Sequence, residues 1–193
     1  MELIFATHNP NKVREISTKL GKGFQLLSLR DIGYSNEIPE DHDTLEDNAL
    51  QKARAIHAAF GKDCFADDTG LEVDALKGKP GVHSARYAGP ECDSLQNIKK
   101  LLKEMKGVSQ RSARFRTVIA LIIDGKEHLF EGGIEGQITL SEKGLKGFGY
   151  DPVFVPKGHS ITFAEMSLED KNKISHRARA FAKMIEFLDK KAY

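Results

Sequence analysis

Residues 65–74 read Phe65-Ala66-Asp67-Asp68-Thr69-Gly70-Leu71-Glu72-Val73-Asp74. The apolar run leading in has the pattern of a buried strand, and it gives way to two adjacent carboxylates, a hydroxyl and a glycine. The reading is a strand that ends at Asp67-Asp68, followed by a second apolar stretch around Val73. Neighbouring residues on an extended chain point to opposite faces, so the two acids need not share one role. One is suited to face a metal, the other to tie down the turn or meet a cation. Carboxylates at a strand end suit Mg²⁺, which takes one or two protein carboxylates and completes its shell with water and phosphate oxygens. The spacing does not say which Asp faces the metal.

Working outward, the elements alternate between strand and helix. Residues 3–7 read as a buried strand, and Asn9 caps a helix with Pro10 at its first position and Val13, Ile16 and Leu20 at helical spacing before Gly21. Residues 24–29 give a second strand. The acidic stretch 37–47 leads into a helix with Leu45, Ala49, Ala53, Ile56 and Phe60 on one side, and Thr44 with Asp47 resembles a capping box. Residues 78–89 are turn-rich. Residues 94–105 form a helix with Gly107 after its end. Residues 113–123 and 127–131 flank Asp124-Gly125, a hairpin signal. Further strands are expected at 133–140 and 152–155, and a last helix runs from Ser175 to Leu188. The order implies an α/β chain with one antiparallel excursion, hence a mixed sheet.

The bulk numbers narrow the function classes. The chain has 193 residues, 40% hydrophobic and 30% charged, long enough for a proper core. A formal net charge of +1 gives no reason to expect a nucleic-acid polymer as partner. Cys64 and Cys92 have no metal-ligand spacing, and reduced thiols in the cytoplasm are expected. The strand-like start leaves no room for a targeting peptide. The longest aliphatic run, 118–123, is too short to span a bilayer.

Four further stretches carry chemistry. Thr7-His8-Asn9-Pro10-Asn11-Lys12 turns a strand into a helix, where free N–H groups, the dipole and the Lys12 ammonium favour an anion. Residues 144–152 hold three glycines with Phe148 and Tyr150, flat faces on which a purine can stack, and Asp151 to accept a base N–H. Lys171 to Arg177 places His176 and Arg177 in the first turn of the last helix, where cations oppose the dipole unless an anionic or electron-rich ligand meets them. Arg177 is read there as exposed, so that its loss affects base preference more than stability. Arg86, after the Pro80-Gly81 turn, can contact phosphate, although an exposed loop arginine is the commoner reading of such a position. Glu37, Glu40, Asp41, Glu46 and Asp47 are candidate second metal ligands.

Taken in order, Thr7-x-Asn9-x-x-Lys12, Ala66-Asp67-Asp68-Thr69-Gly70, Pro80-Gly81 with Ser84-Ala85-Arg86-Tyr87, Gly147-Phe148-Gly149-Tyr150-Asp151-Pro152 and Ile174-Ser175-His176-Arg177 resemble the inosine/xanthosine triphosphate pyrophosphatase family over essentially the whole chain. The resemblance implies a long twisted mixed sheet flanked by helices, in one two-lobed domain with the nucleotide in a central cleft. It implies a Mg²⁺ cofactor, a homodimer, and hydrolysis of ITP, dITP and XTP to the monophosphate and pyrophosphate. By motif, Thr7, His8, Asn9, Pro10, Asn11 and Lys12 hold the phosphate tail, with His8 at a variable position and no role of its own. Asp68 is the metal-linked general base, and Glu40 falls where the family places a metal-binding glutamate. Thr69 stands where the family more often has Ser and keeps the hydroxyl. Lys52, in Asn48-Ala49-x-x-Lys52-Ala53, resembles a phosphate-contacting lysine. Phe148, Gly149, Tyr150, Asp151, Lys171, His176 and Arg177 grip the base. The rival readings are a pyrophosphatase of other nucleotides, a non-catalytic nucleotide-binding module, and a phosphatase that removes only the γ-phosphate.

Overall fold

The computed structural model describes residues 1–17 and 23–191; Leu20 and Gly21 of the first expected helix lie outside them. Seven strands hydrogen-bond in the order β2-β1-β3-β5-β6-β7, with β4 pairing β3. They are β1 (Glu2–Phe5), β2 (Gln25–Ser28), β3 (Cys64–Val73), β4 (Pro80–Gly81), β5 (Ser112–Ile123), β6 (Lys126–Ile138) and β7 (Phe154–Pro156). The helices are α1 (Pro10–Ser17), α2 (Leu45–Phe60), α3 (Ser94–Glu104), α4 (Leu168–Ile174) and α5 (His176–Lys191). β1 runs parallel to β2 and to β3, whereas β3–β4 and β6–β7 are antiparallel, so the sheet is mixed as the element order implied.

Two expectations about strands are corrected. β3 does not end at the paired acids but continues through them to Val73. Asp67 and Asp68 are compatible with a strand interior because each meets cationic or amide donors, described below. The strands expected at 127–131 and 133–140 are one, β6. It passes through Gly136, where an added Cβ would collide with the carbonyl of Val155 on β7, so the glycine is what lets the strands pair closely. α4 was not foreseen. Its start has a short-range cause: Ser167 accepts from the Asp170 N–H at 3.0 Å and donates to its carboxylate at 2.7 Å.

The chain divides into two compact units. The first comprises Met1–Asp68, Thr117–Gly132 and Arg177–Tyr193; the second comprises Thr69–Arg116 and Gly133–His176. In the first, Leu3, Phe5, Phe65, Ile119 and Leu121 pack with Ile16 of α1 and Phe181, Met184 and Leu188 of α5. Phe5 and Phe65 stack with centroids 4.5 Å apart across the parallel pair. Each such fully buried side chain contributes roughly 1.5–3 kcal/mol. In the second, Leu71, Val73, Phe115, Phe154 and Phe163 pack with Ile98, Leu101 and Met105 of α3 and its C-terminal end.

α2 follows the expected cap: Thr44 accepts from the Asp47 N–H, and Gly61 closes the helix in the left-handed region. Its buried face is Leu45, Asn48, Ala49, Lys52, Ala53 and Ile56. Two polar residues thus occupy stripe positions that periodicity assigns to the core, and both point at the cluster that follows.

Candidate active site

In the first unit, Asp67 and Asp68 emerge on opposite faces of β3 and meet different partners, as alternation requires. Asp67 is 1% exposed. Its Oδ1 accepts from Lys12 Nζ at 2.9 Å and its Oδ2 from Arg177 Nε at 3.0 Å. Burial alone would push this carboxyl up, but the charges of Lys12, Arg177 and Lys52 outweigh it and hold Asp67 well below the usual carboxylate range. Arg177 in turn donates from Nη1 to the buried Glu15 carboxylate. Lys12 is depressed, first by burial and then by the nearby charges of Lys52 and Arg177, which together exceed the pull of Asp67 and Asp68.

Asp68 lies in the opposite electrostatic situation. Its Oδ1 accepts from Lys52 Nζ at 3.2 Å and its Oδ2 from Asn48 Nδ2 at 3.4 Å. Burial raises its pKa, and the Glu40 charge adds to that against the opposing pull of Lys52 and Lys12. Of the two adjacent acids, Asp68 is therefore the one whose pKa is raised and Asp67 the one whose pKa is lowered. Lys52 also donates to Glu40 Oε1, so its ammonium is shared by two carboxylates. Burial disfavours that ammonium, but Asp68, Glu40 and Asp67 more than compensate and its pKa is raised. Within the acidic stretch, Asp41 instead bonds Gln51, and Asp47 bonds Thr44.

Two expectations for this unit are corrected. Arg177 is not at an exposed helix start: it is 2% exposed, and the cost of a cation against the α5 dipole is met by Glu15 and Asp67. The N–H groups at the start of α1 are not free for an anion. Asn9 Oδ1 accepts from Asn11 N at 2.9 Å and Lys12 N at 3.3 Å, while Thr7 Oγ1 accepts from Asn9 N at 3.2 Å. His8 turns away from Lys12, with Nε2 2.9 Å from the Asn36 carbonyl oxygen.

The second unit holds the aromatic loop. Asp151 Oδ2 accepts from the Phe148 N–H at 2.9 Å and from Lys171 Nζ at 2.6 Å, so this carboxylate shapes the loop as well as holding a cation. The turn needs a left-handed residue at Gly147, where any Cβ would run into the Asp151 carboxylate. Lys171 Nζ lies 4.9 Å from the Phe148 ring centroid and 5.4 Å from that of Phe163. The expected stacking face at Tyr150 is not presented: its ring is in the core and its hydroxyl donates to the Ser84 carbonyl at 2.9 Å. Phe148 is only half-buried, and so remains the flat face of the loop. His176 stacks on Phe115 with centroids 4.6 Å apart. Thr69 is half-buried on β3, and Gly149 has a positive φ with open space around its Cα. Arg86 lies on a loop that α3 pins through Asn97, which donates to Ala85 O and accepts from Ala88 N.

Sequence reading missed Glu15 and Asn48. For Asn48 the signal was present, a polar residue beside Ala49 at a position that helical spacing gives to the buried face; Glu15 lies off the Val13-Ile16 stripe and is buried where Arg177 meets it. Among the described residues no group of three or more His, Cys, Asp or Glu forms a metal cage. No helix among them is long and apolar enough to cross a membrane.

The sequences of known proteins agree with this arrangement of motifs. A profile of the Ham1 family matches residues 3–187. The chain is 53% identical over 190 residues to a dITP/XTP pyrophosphatase of Christiangramia forsetii, covering 98% of this chain and 100% of that protein. It is 54% identical over 188 residues to a dITP/XTP pyrophosphatase of Porphyromonas gingivalis, covering 97% of each. Among solved structures, the Ham1 protein of Staphylococcus aureus superposes with a TM-score of 0.89 at 34% identity, covering 99% of this chain and 100% of that one. The acid pair on β3, the lysines that meet it and the loop at Gly147 thus sit in a chain that matches these proteins from end to end, and the protein belongs to the Ham1 family.

Proposed function

We propose that this protein hydrolyses noncanonical purine nucleoside triphosphates (ITP, dITP and XTP) to the monophosphate and pyrophosphate, removing them from the nucleotide pool. The dITP/XTP pyrophosphatase activity of relatives sharing about half of its residues across the full chain supports the reaction. The observation that carries the assignment of roles is the sharing of Lys52 by Glu40 and Asp68. Two carboxylates that both bond one ammonium can both bond one metal cation, and a carboxylate pair suits Mg²⁺, which relies on water and phosphate for its other ligands. In this reading Glu40 and Asp68 would hold Mg²⁺, which would supply neutralisation of phosphate charge and acidify the attacking water.

Asp68, whose pKa burial raises, is placed to take the proton of the water that attacks the α-phosphorus. The new bond joins that oxygen to phosphorus, and the bond to the β-phosphate oxygen breaks. Lys12 and Lys52 neutralise charge on the departing pyrophosphate, while Thr7, Asn9 and Asn11 shape the turn that presents Lys12. Phe148 stacks on the base. Lys171 and His176 donate toward a 6-oxygen and would face the amino group of adenine donor to donor, a mismatch of roughly 1–3 kcal/mol. Arg177 acts from the interior by fixing Asp67, and through it Lys12. The active form in this reading is a homodimer in the cytoplasm, where free thiols such as Cys64 and Cys92 persist.

The test is release of pyrophosphate and orthophosphate from ITP, XTP, dITP, ATP and GTP, with Mg²⁺ and with EDTA. Pyrophosphate from the first three, abolished by EDTA, with ATP and GTP nearly inert, is the expected result. Orthophosphate would move the cleavage to another bond and refute the mechanism. Binding without turnover would favour the nucleotide-binding module.

A further inference from the structure

Asn48 sits at the centre of α2 with no solvent exposure, and every polar group of its amide is used. Oδ1 accepts from the His42 N–H at 2.9 Å, and Nδ2 donates to the His42 carbonyl at 3.1 Å and to Asp68 Oδ2 at 3.4 Å. An asparagine amide has one acceptor oxygen and two N–H donors, so these three bonds use the oxygen and both N–H groups. A single planar group therefore ties the segment that follows Glu40 to the strand that carries Asp68. Lys52, one helical turn further along α2, bonds the Glu40 and Asp68 carboxylates directly. Gln51 bonds Asp41 through its backbone N–H at 3.2 Å and its carboxylate at 3.4 Å, and so grips the segment without the described bond to Asp68 that Asn48 makes.

We propose that Asn48 is a positioning residue for the cation site, fixing Glu40 and Asp68 so that both offer oxygens to one ion. The inference rests on Glu40 and Asp68 being the Mg²⁺ ligands. Mg²⁺ demands near-ideal octahedral distances, so a small shift of either carboxylate weakens binding. Partners behind the ligands typically change metal affinity by about 10–100-fold when removed. Other residues of similar size cannot substitute. Aspartate accepts from His42 but donates nothing and sets a second negative charge against Asp68, and leucine fills the space without a hydrogen bond.

The experiment is a titration of nucleotide-free full-length protein with Mn²⁺, free ion being read by its electron paramagnetic resonance signal. Wild type, Asn48→Ala and Gln51→Ala are compared. Asn48→Ala is expected to weaken Mn²⁺ binding at least tenfold and to raise the Mg²⁺ needed for half-maximal pyrophosphate release equally, with the KM for ITP at saturating Mg²⁺ changed less than about threefold. Gln51→Ala is expected to stay within about threefold of wild type on both readouts. If Asn48→Ala does not fold, Asn48→Ser is read the same way. Equal Mn²⁺ affinity in wild type and a folded Asn48 variant, with only Tm lowered, overturns the inference and leaves the cation site standing. Wild type that binds no Mn²⁺ overturns the Mg²⁺ assignment itself, and the inference falls with it.

Discussion

The guanidinium of Arg177 and the carboxylate of Asp67 meet at 3.0 Å, each almost wholly buried, and the pair is flanked by Glu15 on one side and Lys12 on the other. Four charges of alternating sign thus run from Glu15 on α1, through Arg177 at the start of α5 and Asp67 on β3, back to Lys12 on α1. Removing one member of a buried pair leaves the other uncompensated, at a cost of about 3–5 kcal/mol. Arg177→Ala is accordingly expected to lower Tm by on the order of 10 °C in thermal unfolding. An unchanged Tm would show that the pair is not stabilising.

The same chain makes an acid-stability prediction. The folded pKa of Asp67 lies below its unfolded value, so on acidification the unfolded chain takes up the proton first. Its contribution is complete above about pH 4 and is lost progressively as pH falls below that value. Arg177, whose pKa is raised, stays charged throughout. Urea unfolding between pH 2 and 5, as approximate limits, is expected to show a fall for wild type that is shallower in Asp67→Asn. Parallel curves for the two proteins would refute it.

Asp68→Asn should behave in the opposite way. Burial already disfavours its charge, so the neutral amide is tolerated and Tm moves little, while pyrophosphate release drops at least about 100-fold. Near-wild-type turnover would remove Asp68 from the role of base.

Asp151 holds the buried Lys171 ammonium near the Phe148 and Phe163 rings. Lys171→Met keeps much of the volume and loses the donor. The ratio of kcat/KM for ITP over ATP is expected to fall by about tenfold, the equivalent of one unmatched polar group. A retained ratio would place base discrimination elsewhere.

At Gly147, alanine meets two obstacles, a positive φ and the Asp151 carboxylate. Gly147→Ala is expected to cost more than about 1 kcal/mol in unfolding free energy and to weaken ITP binding. Gly149→Ala, with a positive φ but open space, is expected to cost less.

Short-range signals made much of the fold legible. The Thr44 cap, Asp124-Gly125 between β5 and β6, and the apolar stripe of α3 each state their element within a few residues. What failed was any reading that depended on a distant partner. Asp67-Asp68 resembled a strand end because local sequence contains neither Lys12 nor Lys52, which make the interior of β3 tolerable for two acids. Arg177 resembled a solvated helix start because Glu15, 162 positions away, is invisible from its own turn. Tyr150 resembled a stacking platform because Ser84, whose carbonyl accepts its hydroxyl hydrogen bond, lies 66 positions upstream. The motif residues themselves were found; which of them are buried supports rather than presented surfaces was not.

The two thiols of the chain differ sharply in chemistry. Cys64 is buried on β3, donates to the Ala53 carbonyl at 3.2 Å, and is pushed up to about 12 by burial and the neighbouring Asp63 charge. Cys92 is exposed. Thiolate is the nucleophile, so an electrophile at neutral pH distinguishes them without mutagenesis. A maleimide dye or spin label will therefore attach at one defined place, just ahead of α3, and the native protein comes with its own single-site handle for spectroscopy.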